Sequence, residues 1–181
     1  EASLLDRVRV VLTRTSHPGN IGGAARAMKT MGLSRLVLVN PQVLPSDIAT
    51  ARASGATDVL DGAQVVGSLE EALSGTVFSA AMTARRRELS LPMQWSREAA
   101  STVAGYAGQG DVALVFGNET SGMSNEELAL CHLPVMIPAN AEYSSLNLAG
   151  QLYWDPEVLT AEMDRLFSND WLCVGRSEDL G

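Results

Sequence analysis

The chain has 181 residues, of which 46% are hydrophobic and 5% aromatic, so Val, Leu, Ala and Met must fill most of a single domain's core. No apolar run approaches the roughly 18 residues that a membrane-spanning helix needs, and the N-terminal residues lack a signal-peptide pattern, which predicts a cytoplasmic protein without a membrane partner. Two cysteines, Cys131 and Cys173, do not make a disulfide framework or a metal cluster, and we expect both to be reduced thiols.

Charge is distributed unevenly along the chain. The net charge of −8 argues weakly against a nucleic-acid partner, but residues 1–100 carry 11 Lys and Arg against 9 Asp and Glu, whereas residues 101–181 carry 2 against 12. An RNA-binding surface is therefore expected among the first 100 residues. A solvated surface with an acidic tail would have the same composition, so charge alone leaves both interpretations open.

Hydrophobic periodicity predicts alternating strands and helices. Residues 7–12 alternate as in a strand, and apolar residues at helical spacing follow from Asn20 until Gly32 ends the helix. The apolar runs at 36–39 and 112–116 are typical of strands covered on both faces. Capping boxes at 68/71 and 124/127 begin two further helices. The remaining predicted elements are helices at 48–54 and 96–106 and strands at 59–60, 65–66, 77–82 and 133–137.

This alternation predicts an α/β fold with a mostly parallel sheet and helices on both faces. In such sheets, ligands bind beyond the carboxyl ends of the strands. The strand-end loops to inspect are therefore 15–19, 83–87, 117–122 and 138–145.

A first candidate group begins a helix directly after a strand and a turn. Gly22, Arg26 and Lys29 are spaced i, i+4, i+7 and share one helix face, on which Gly22 allows close approach of a backbone or a ligand. A cationic face near a helix N-terminus suits a phosphate. Taken alone, the motif is more often a surface helix with two basic residues, and the glycine fingerprint of dinucleotide-binding proteins is absent.

A second candidate group is the loop at 117–122, directly after a buried strand. Gly117, Asn118 and Gly122 predict a tightly bent backbone whose amides can face a ligand. Glu119 is the only carboxylate of the loop. Holding the turn through hydrogen bonds and contacting a substrate are about equally good explanations of its presence.

Two further groups are polar or basic. Ser144, Ser145 and Asn147 lie where a helix could begin, and in isolation ordinary N-capping explains them. Three consecutive arginines at 85–87 follow a predicted strand, where contact with phosphates and a solvated loop are about equally good explanations.

The two histidines are far apart and show no metal-ligand spacing. His17 lies in the first candidate loop and is a candidate RNA contact, whereas His132 is interpreted as structural. No zinc or magnesium cluster is visible in the sequence.

Taken together and in this order, these segments resemble the motifs of the SPOUT superfamily of RNA methyltransferases. Each motif is weak alone, but the ordered trio is highly specific, and the likeness covers about residues 5–150. The stretch 15–32 and the Leu-Val-Asn-Pro run ending at Pro41 are more similar still to the TrmJ-type tRNA methyltransferases. The three matching segments are Asn20 with Gly22 and Arg26, then 116–122, then Ile137 with 144–149.

The resemblance implies properties that composition and spacing do not show. The fold would contain a C-terminal trefoil knot, a rare exception among protein chains, and the enzyme would be a homodimer whose active sites are completed across the interface. It would use S-adenosyl-L-methionine (SAM) and no metal to methylate a ribose 2′-oxygen, at nucleotide 32 of the tRNA anticodon loop. The implied SAM contacts are Thr83, Ala84, Gly117, Asn118, Glu119, Gly122, Ile137, Ser145 and Leu146.

The resemblance also implies catalytic roles, above all for Arg26. Since a guanidinium stays protonated in proteins, we expect Arg26 to bind the adjacent phosphate and stabilise developing alkoxide rather than act as a simple general base. Asn20 and Glu119 would belong to the same catalytic group, while Ser145 and Asn147 would orient the ribose or Arg26. The expected RNA contacts are His17, Arg26, Lys29, Arg85, Arg86 and Arg87.

The chain departs from the family after residue 150. A helix begun at 145–149 should continue, but Pro156 interrupts the apolar stripe, so residues missing between about Gly150 and Leu152 are one hypothesis. We therefore expect a methyltransferase domain at 1–151 and a C-terminal extension at 152–181, with an amphipathic helix at 157–167.

Three other functions stay open beside the tRNA ribose methyltransferase. A ribosomal-RNA ribose methyltransferase would share the three motifs. A knotted RNA-binding protein without catalysis is a second alternative, which the presence of Arg26, Glu119, Ser145 and Asn147 argues against. A Rossmann dehydrogenase would rest on fold class alone.

Overall fold

The computed structural model describes residues 3–83 and 92–137. A short 3-10 helix, Leu4–Arg7, comes first. The strands are β1 (Val8–Thr13), β2 (Arg35–Val39), β3 (Gln64–Val66), β4 (Thr76–Met82), β5 (Gln94–Trp95), β6 (Asp111–Phe116) and β7 (Leu133–Met136). The α-helices are α1 (Pro18–Thr30), α2 (Asp47–Ala53), α3 (Thr57–Asp61), α4 (Leu69–Leu73), α5 (Ser96–Ala107) and α6 (Asn125–Ala129). Within these two ranges, no helix is long and apolar enough to cross a membrane.

All seven strands join one sheet in the order β3-β2-β1-β6-β4-β7-β5, and every pairing between them is parallel. The predicted parallel α/β sheet is therefore confirmed. Phe116 at the end of β6 is in register with Leu12 on one side and Met82 on the other, and Met82 is in register with Val135. The strands thus end level with one another, and their following loops leave from one edge.

Helices cover both faces of the sheet. The alternating side chains of β2 show this directly, since Leu36 and Leu38 pack into one buried cluster while Val37 and Val39 pack into another. Residues from α1, α2, α3 and α5 share the first cluster, and residues from α4 and α6 share the second. Burying one such aliphatic side chain contributes about 1.5–3 kcal/mol, so the sheet is stabilised from two sides.

The predicted element types are mostly confirmed, with shifted ends. Helix α1 begins at Pro18 instead of Asn20 because proline suits the first helical position and the His17 imidazole caps it. The predicted strand at 59–60 is wrong, because these residues lie in α3 with Val59 and Leu60 buried. A two-residue apolar run has no period that distinguishes a strand from a helix.

Several predictions fall on residues outside 3–83 and 92–137. These are the trefoil knot, the helix at 157–167, the interruption near Gly150 and Leu152, and the division of the chain at residue 151. Each of them stays a prediction.

Candidate functional site

Three residues that the family resemblance assigns to SAM binding lie at the ends of neighbouring strands. Thr83 follows β4, Gly117 follows β6 and Ile137 follows β7, and these strands are adjacent in the sheet. The Thr83 amide donates a 2.9 Å hydrogen bond to the Val135 carbonyl and so continues the pairing of β4 with β7. Since neighbouring strands lie about 4.8 Å apart, the three loops begin within the length of one nucleoside-sized ligand.

The loop after β6 is bent tightly back on itself. A Cβ atom on Gly117 would overlap the backbone of Gly122, and Gly122 itself has a φ of +68°, which favours glycine. Asn118 is buried, and its side-chain oxygen accepts hydrogen bonds from the amides of Thr120 and Ser121 at 2.9 and 3.0 Å. The bent backbone predicted from this glycine and asparagine pattern is therefore present.

Arg14 ties this loop to the end of β1. The Asn118 amide donates to the Arg14 carbonyl at 2.7 Å, and the Arg14 guanidinium donates to the Gly122 carbonyl at 3.1 Å. The same guanidinium binds both carboxylate oxygens of Glu127, at 3.1 and 2.8 Å. Burial tends to raise the pKa of Glu127, but the hydrogen bonds and charge of Arg14, together with a hydrogen bond from the Ser124 amide, hold that pKa below its usual value. Sequence reasoning missed Arg14, because its partners are more than 100 residues away.

Glu119 connects the second motif to the first. Its carboxylate accepts hydrogen bonds from the Ser16 amide at 3.1 Å, the Ser16 hydroxyl at 2.9 Å and the His17 amide at 3.3 Å. It also accepts a 2.8 Å bond from the side-chain amide of Asn20 in α1. One carboxylate therefore holds the loop after β1 and the first turn of α1 against the loop after β6.

The charge of Glu119 is stabilised by these donors. Burial would raise the pKa of Glu119, but hydrogen bonds from Asn20, from its own backbone amide and from Ser16 together lower it further than burial raises it. The sequence left open whether this carboxylate holds the turn or contacts substrate. Its contacts favour holding the two loops together, and Ser16 is a partner that sequence reasoning missed although it lies beside the first motif.

Asn20 and His17 both act at the start of α1. Asn20 is buried, and its side-chain oxygen has no hydrogen-bond partner among the described residues. The Nδ1 atom of His17 accepts a 3.0 Å hydrogen bond from the Gly19 amide, which caps the helix. The RNA contact predicted for His17 stays a prediction beside this structural role.

The predicted cationic face of α1 is only partly available. The space beside Gly22 is occupied by α2, because a Cβ atom on Gly22 would overlap the carbonyl oxygen of Ala49. Lys29 pairs with Asp58 at 2.7 Å. Arg26 is exposed, and its guanidinium makes no hydrogen bond or ion pair with the described residues. The close approach allowed by Gly22 is thus that of a backbone, and Arg26 is the member of the trio that faces solvent without a partner in this part of the chain.

Comparison with known proteins agrees with this arrangement. Residues 7–150 match the SpoU rRNA methylase family. The chain belongs to that family. It is also 55% identical over 161 residues to the tRNA (cytidine/uridine/adenosine-2′-O-)-methyltransferase TrmJ of Pseudomonas aeruginosa, an alignment that covers 88% of this chain. The chain spans only 61% of the length of that relative.

Solved structures of the family share the fold. The crystal structure of a probable methyltransferase from Bordetella pertussis is 46% identical, with a TM-score of 0.75 over 82% of this chain and 91% of that one. The SpoU methyltransferase AviRb from Streptomyces viridochromogenes, solved in complex with the cofactor AdoMet, has a TM-score of 0.63 at 22% identity, covering 90% of this chain and 62% of that one. At that identity, the likeness concerns the fold alone.

The remaining predicted site residues lie outside the described ranges. Among residues 3–83 and 92–137, no group of three or more His, Cys, Asp or Glu is arranged to hold a metal ion. The predicted residues about which the structure says nothing are Ala84, Arg85, Arg86, Arg87, Ser145, Leu146 and Asn147.

His132 and Cys131 lie away from the strand-end loops, before β7. His132 places Nδ1 2.9 Å from the Ser79 hydroxyl and stacks on Phe78 with ring centroids 5.3 Å apart, in keeping with a structural role. Burial raises the pKa of the Cys131 thiol to about 11, so it stays protonated at neutral pH.

Proposed function

We propose that this domain transfers a methyl group from SAM to a ribose 2′-hydroxyl of tRNA, at nucleotide 32 of the anticodon loop. The observation that carries the proposal is the set of hydrogen bonds to the Glu119 carboxylate. They hold the start of α1 and the loop after β6 together at the carboxyl ends of the strands, the carboxyl edge of the sheet. Arg26 is exposed on that same helix. The tRNA substrate is taken from the name of the Pseudomonas relative, and the target nucleotide from the resemblance to TrmJ-type enzymes.

The strand ends suit SAM as a cofactor. Backbone groups at Thr83, Gly117 and Ile137 lie at this edge, and the apolar side chains of Met82 and Phe116 line a small cavity next to it, between the sheet and α5. SAM would supply a methyl group already activated on a sulfonium. Binding and orientation of the cofactor are therefore the work that these residues would do.

Arg26 would act on the RNA. Its guanidinium is exposed and uncommitted to any described residue, so it can bind the phosphate beside the target ribose and stabilise negative charge that develops on the 2′-oxygen. Glu119 and Asn20 would act as positioning residues that fix α1 relative to the SAM loops. Ser145 and Asn147 would orient the ribose. Positioning of this kind can supply several kcal/mol of the barrier.

The assembly and setting of the enzyme are part of the same proposal. We propose a homodimer in which each site is completed by the partner, and a C-terminal trefoil knot. Residues 1–151 would form the methyltransferase domain and 152–181 its extension, and the protein would act in the cytoplasm. The support for these points is the resemblance to the SPOUT superfamily.

The test is a methyl-transfer assay with labelled SAM on total tRNA and, separately, on ribosomal RNA. We expect label in tRNA, ribose methylation that maps to nucleotide 32, and turnover that survives removal of metal from the protein by EDTA. Label in ribosomal RNA alone would favour the alternative substrate, which the description of the matched family suggests. RNA binding without label would favour the non-catalytic alternative.

A further inference from the structure

The contact between α1 and α2 brings a second arginine beside Arg26. Gly22 of α1 packs so closely on α2 that a Cβ atom there would overlap the Ala49 carbonyl and lie 2.9 Å from the Cβ of Arg52. Arg52 therefore leaves α2 at the point where the two helices touch. Arg26 follows Gly22 by about one helical turn, which is a rise of roughly 5.4 Å.

A second contact fixes the direction in which α2 passes α1. Further along α1, the Lys29 ammonium donates to the Gly55 carbonyl at 3.2 Å and pairs with Asp58 at 2.7 Å. The chain from 49 to 58 thus runs alongside α1 from Gly22 towards Lys29. The Cβ of Arg52 lies beside Gly22 on this path, and Arg26 lies about one helical turn further along the same face of α1, so both long side chains start near one point of the α1–α2 contact.

Both arginines face solvent. Ala49 and Ala53 form the buried face of α2, whereas Arg52 is exposed at its edge, as Arg26 is on α1. Neither guanidinium makes a hydrogen bond or ion pair with the described residues. By contrast, the charge of Lys29 is compensated by Asp58.

From this placement we infer that Arg52, together with Arg26, forms a clamp for a backbone phosphate of the RNA substrate, and that Arg52 takes the place that the sequence assigned to Lys29. The inference rests on the proposed function, since Arg26 is the residue at the reacting ribose. Guanidinium groups suit phosphate because their planar fork donates two parallel hydrogen bonds to its oxygens. The substrate class is thus RNA, bound through its phosphate backbone where α1 and α2 meet and independently of base identity.

The test compares four proteins: wild type, Arg52→Ala, Arg52→Lys, and Arg97→Ala as a control for an exposed helical arginine on α5. Binding of tRNA is measured over a range of salt concentrations, and methyl transfer is measured as separate kcat and KM values. We expect Arg52→Ala to weaken tRNA binding about tenfold and to reduce the salt dependence by about one phosphate contact. KM for tRNA should rise while kcat and SAM affinity change little.

The conservative variant and the control sharpen the result. Arg52→Lys keeps the positive charge but lacks the planar guanidinium. Compared with Arg52→Ala, it should therefore show the wild-type salt dependence but only part of the wild-type affinity for tRNA. Arg97→Ala should bind tRNA as the wild type does. Thermal melting of each variant establishes that it is folded before binding is compared.

Two outcomes would overturn the inference. One is an Arg52→Ala protein that binds tRNA with unchanged affinity and salt dependence, and the other is an equal loss in Arg97→Ala, which would indicate general electrostatic attraction. Either result leaves the proposed function intact provided that the wild type methylates tRNA. A folded wild type that binds tRNA but transfers no methyl group would instead defeat the proposed function.

Discussion

Arginine and carboxylate side chains have different roles at the carboxyl ends and at the amino ends of the parallel strands, the carboxyl and amino edges of the sheet. At the carboxyl edge, Glu119 and Arg14 join loops from different strands, while Arg26, further along α1, keeps its guanidinium exposed. At the amino edge, Arg9 and Arg35 both bind one carboxylate oxygen of Asp111, at 2.9 and 2.8 Å.

The charged groups of the amino edge are paired with one another within the protein. Arg9 also donates to the carbonyls of Ala72 and Ser74, at 3.1 and 2.8 Å, so it ties the end of α4 to the sheet. Burial would raise the pKa of Asp111, but its two arginine partners outweigh that effect and lower it. The comparison teaches that similar ionic groups fix the sheet at one edge and join the loops of the proposed site at the other.

The sharpest test of the carboxyl edge is Arg26→Ala. Because the side chain is exposed and makes no bond to the described residues, we expect unchanged thermal stability but a loss of methyl transfer of at least about a hundredfold. Binding of SAM, measured by calorimetry, should largely survive. Turnover near the wild-type rate would remove Arg26 from the reaction.

Gly117→Ala should damage both activity and stability. The new methyl group would overlap the backbone at Gly122, so the loop after β6 must shift, at a cost of about 1–3 kcal/mol. We expect about tenfold weaker SAM binding and a lower melting temperature. Gly105→Ala is the matched control, because a Cβ atom there meets nothing within 4 Å and alanine favours the helix. Equal behaviour of the two variants would contradict this account of the loop.

Asp111→Asn should affect stability alone. Removing the negative charge leaves Arg9 and Arg35 facing a neutral amide oxygen, and we expect about 1–3 kcal/mol lower unfolding free energy in urea. Methyl transfer per folded molecule should be unchanged. Asp58→Asn, which removes an exposed ion pair, is the control and should melt as the wild type does. A selective loss of activity in Asp111→Asn would break the distinction between the two edges.

The smallest expected effect is on how the unfolding free energy changes at acidic pH. Burial raises the pKa of Glu119 but its hydrogen bonds lower it more, so the folded value lies below the unfolded value of about 4.3. The ionised carboxylate therefore stabilises the folded state above that pH, and the stabilisation is lost as the pH falls through the folded value. Unfolding free energy of Glu119→Gln should decline less steeply below pH 4.3 than that of the wild type. Parallel curves would show that the donors do not favour the charged form.

Much of the architecture follows from local patterns. Apolar runs such as those of β2 and β6 predict buried parallel strands, and the capping box at Ser124 and Glu127 is present as predicted. These features are readable because each depends on neighbours within a few residues. The prediction of a strand at 59–60 was wrong because a run of two apolar residues is too short to show either a helical or a strand periodicity.

The site was only partly predictable. The sequence alone placed 117–122 in a bent loop and Arg26 on a helix that follows β1, because turn chemistry and helix spacing are local properties. Only the tertiary structure decided that Glu119 binds Ser16 and Asn20, that Lys29 is paired, and that Arg52 lies against Gly22. These are contacts between residues tens of positions apart along the chain, and packing of the elements, which no local pattern encodes, determines which of them form.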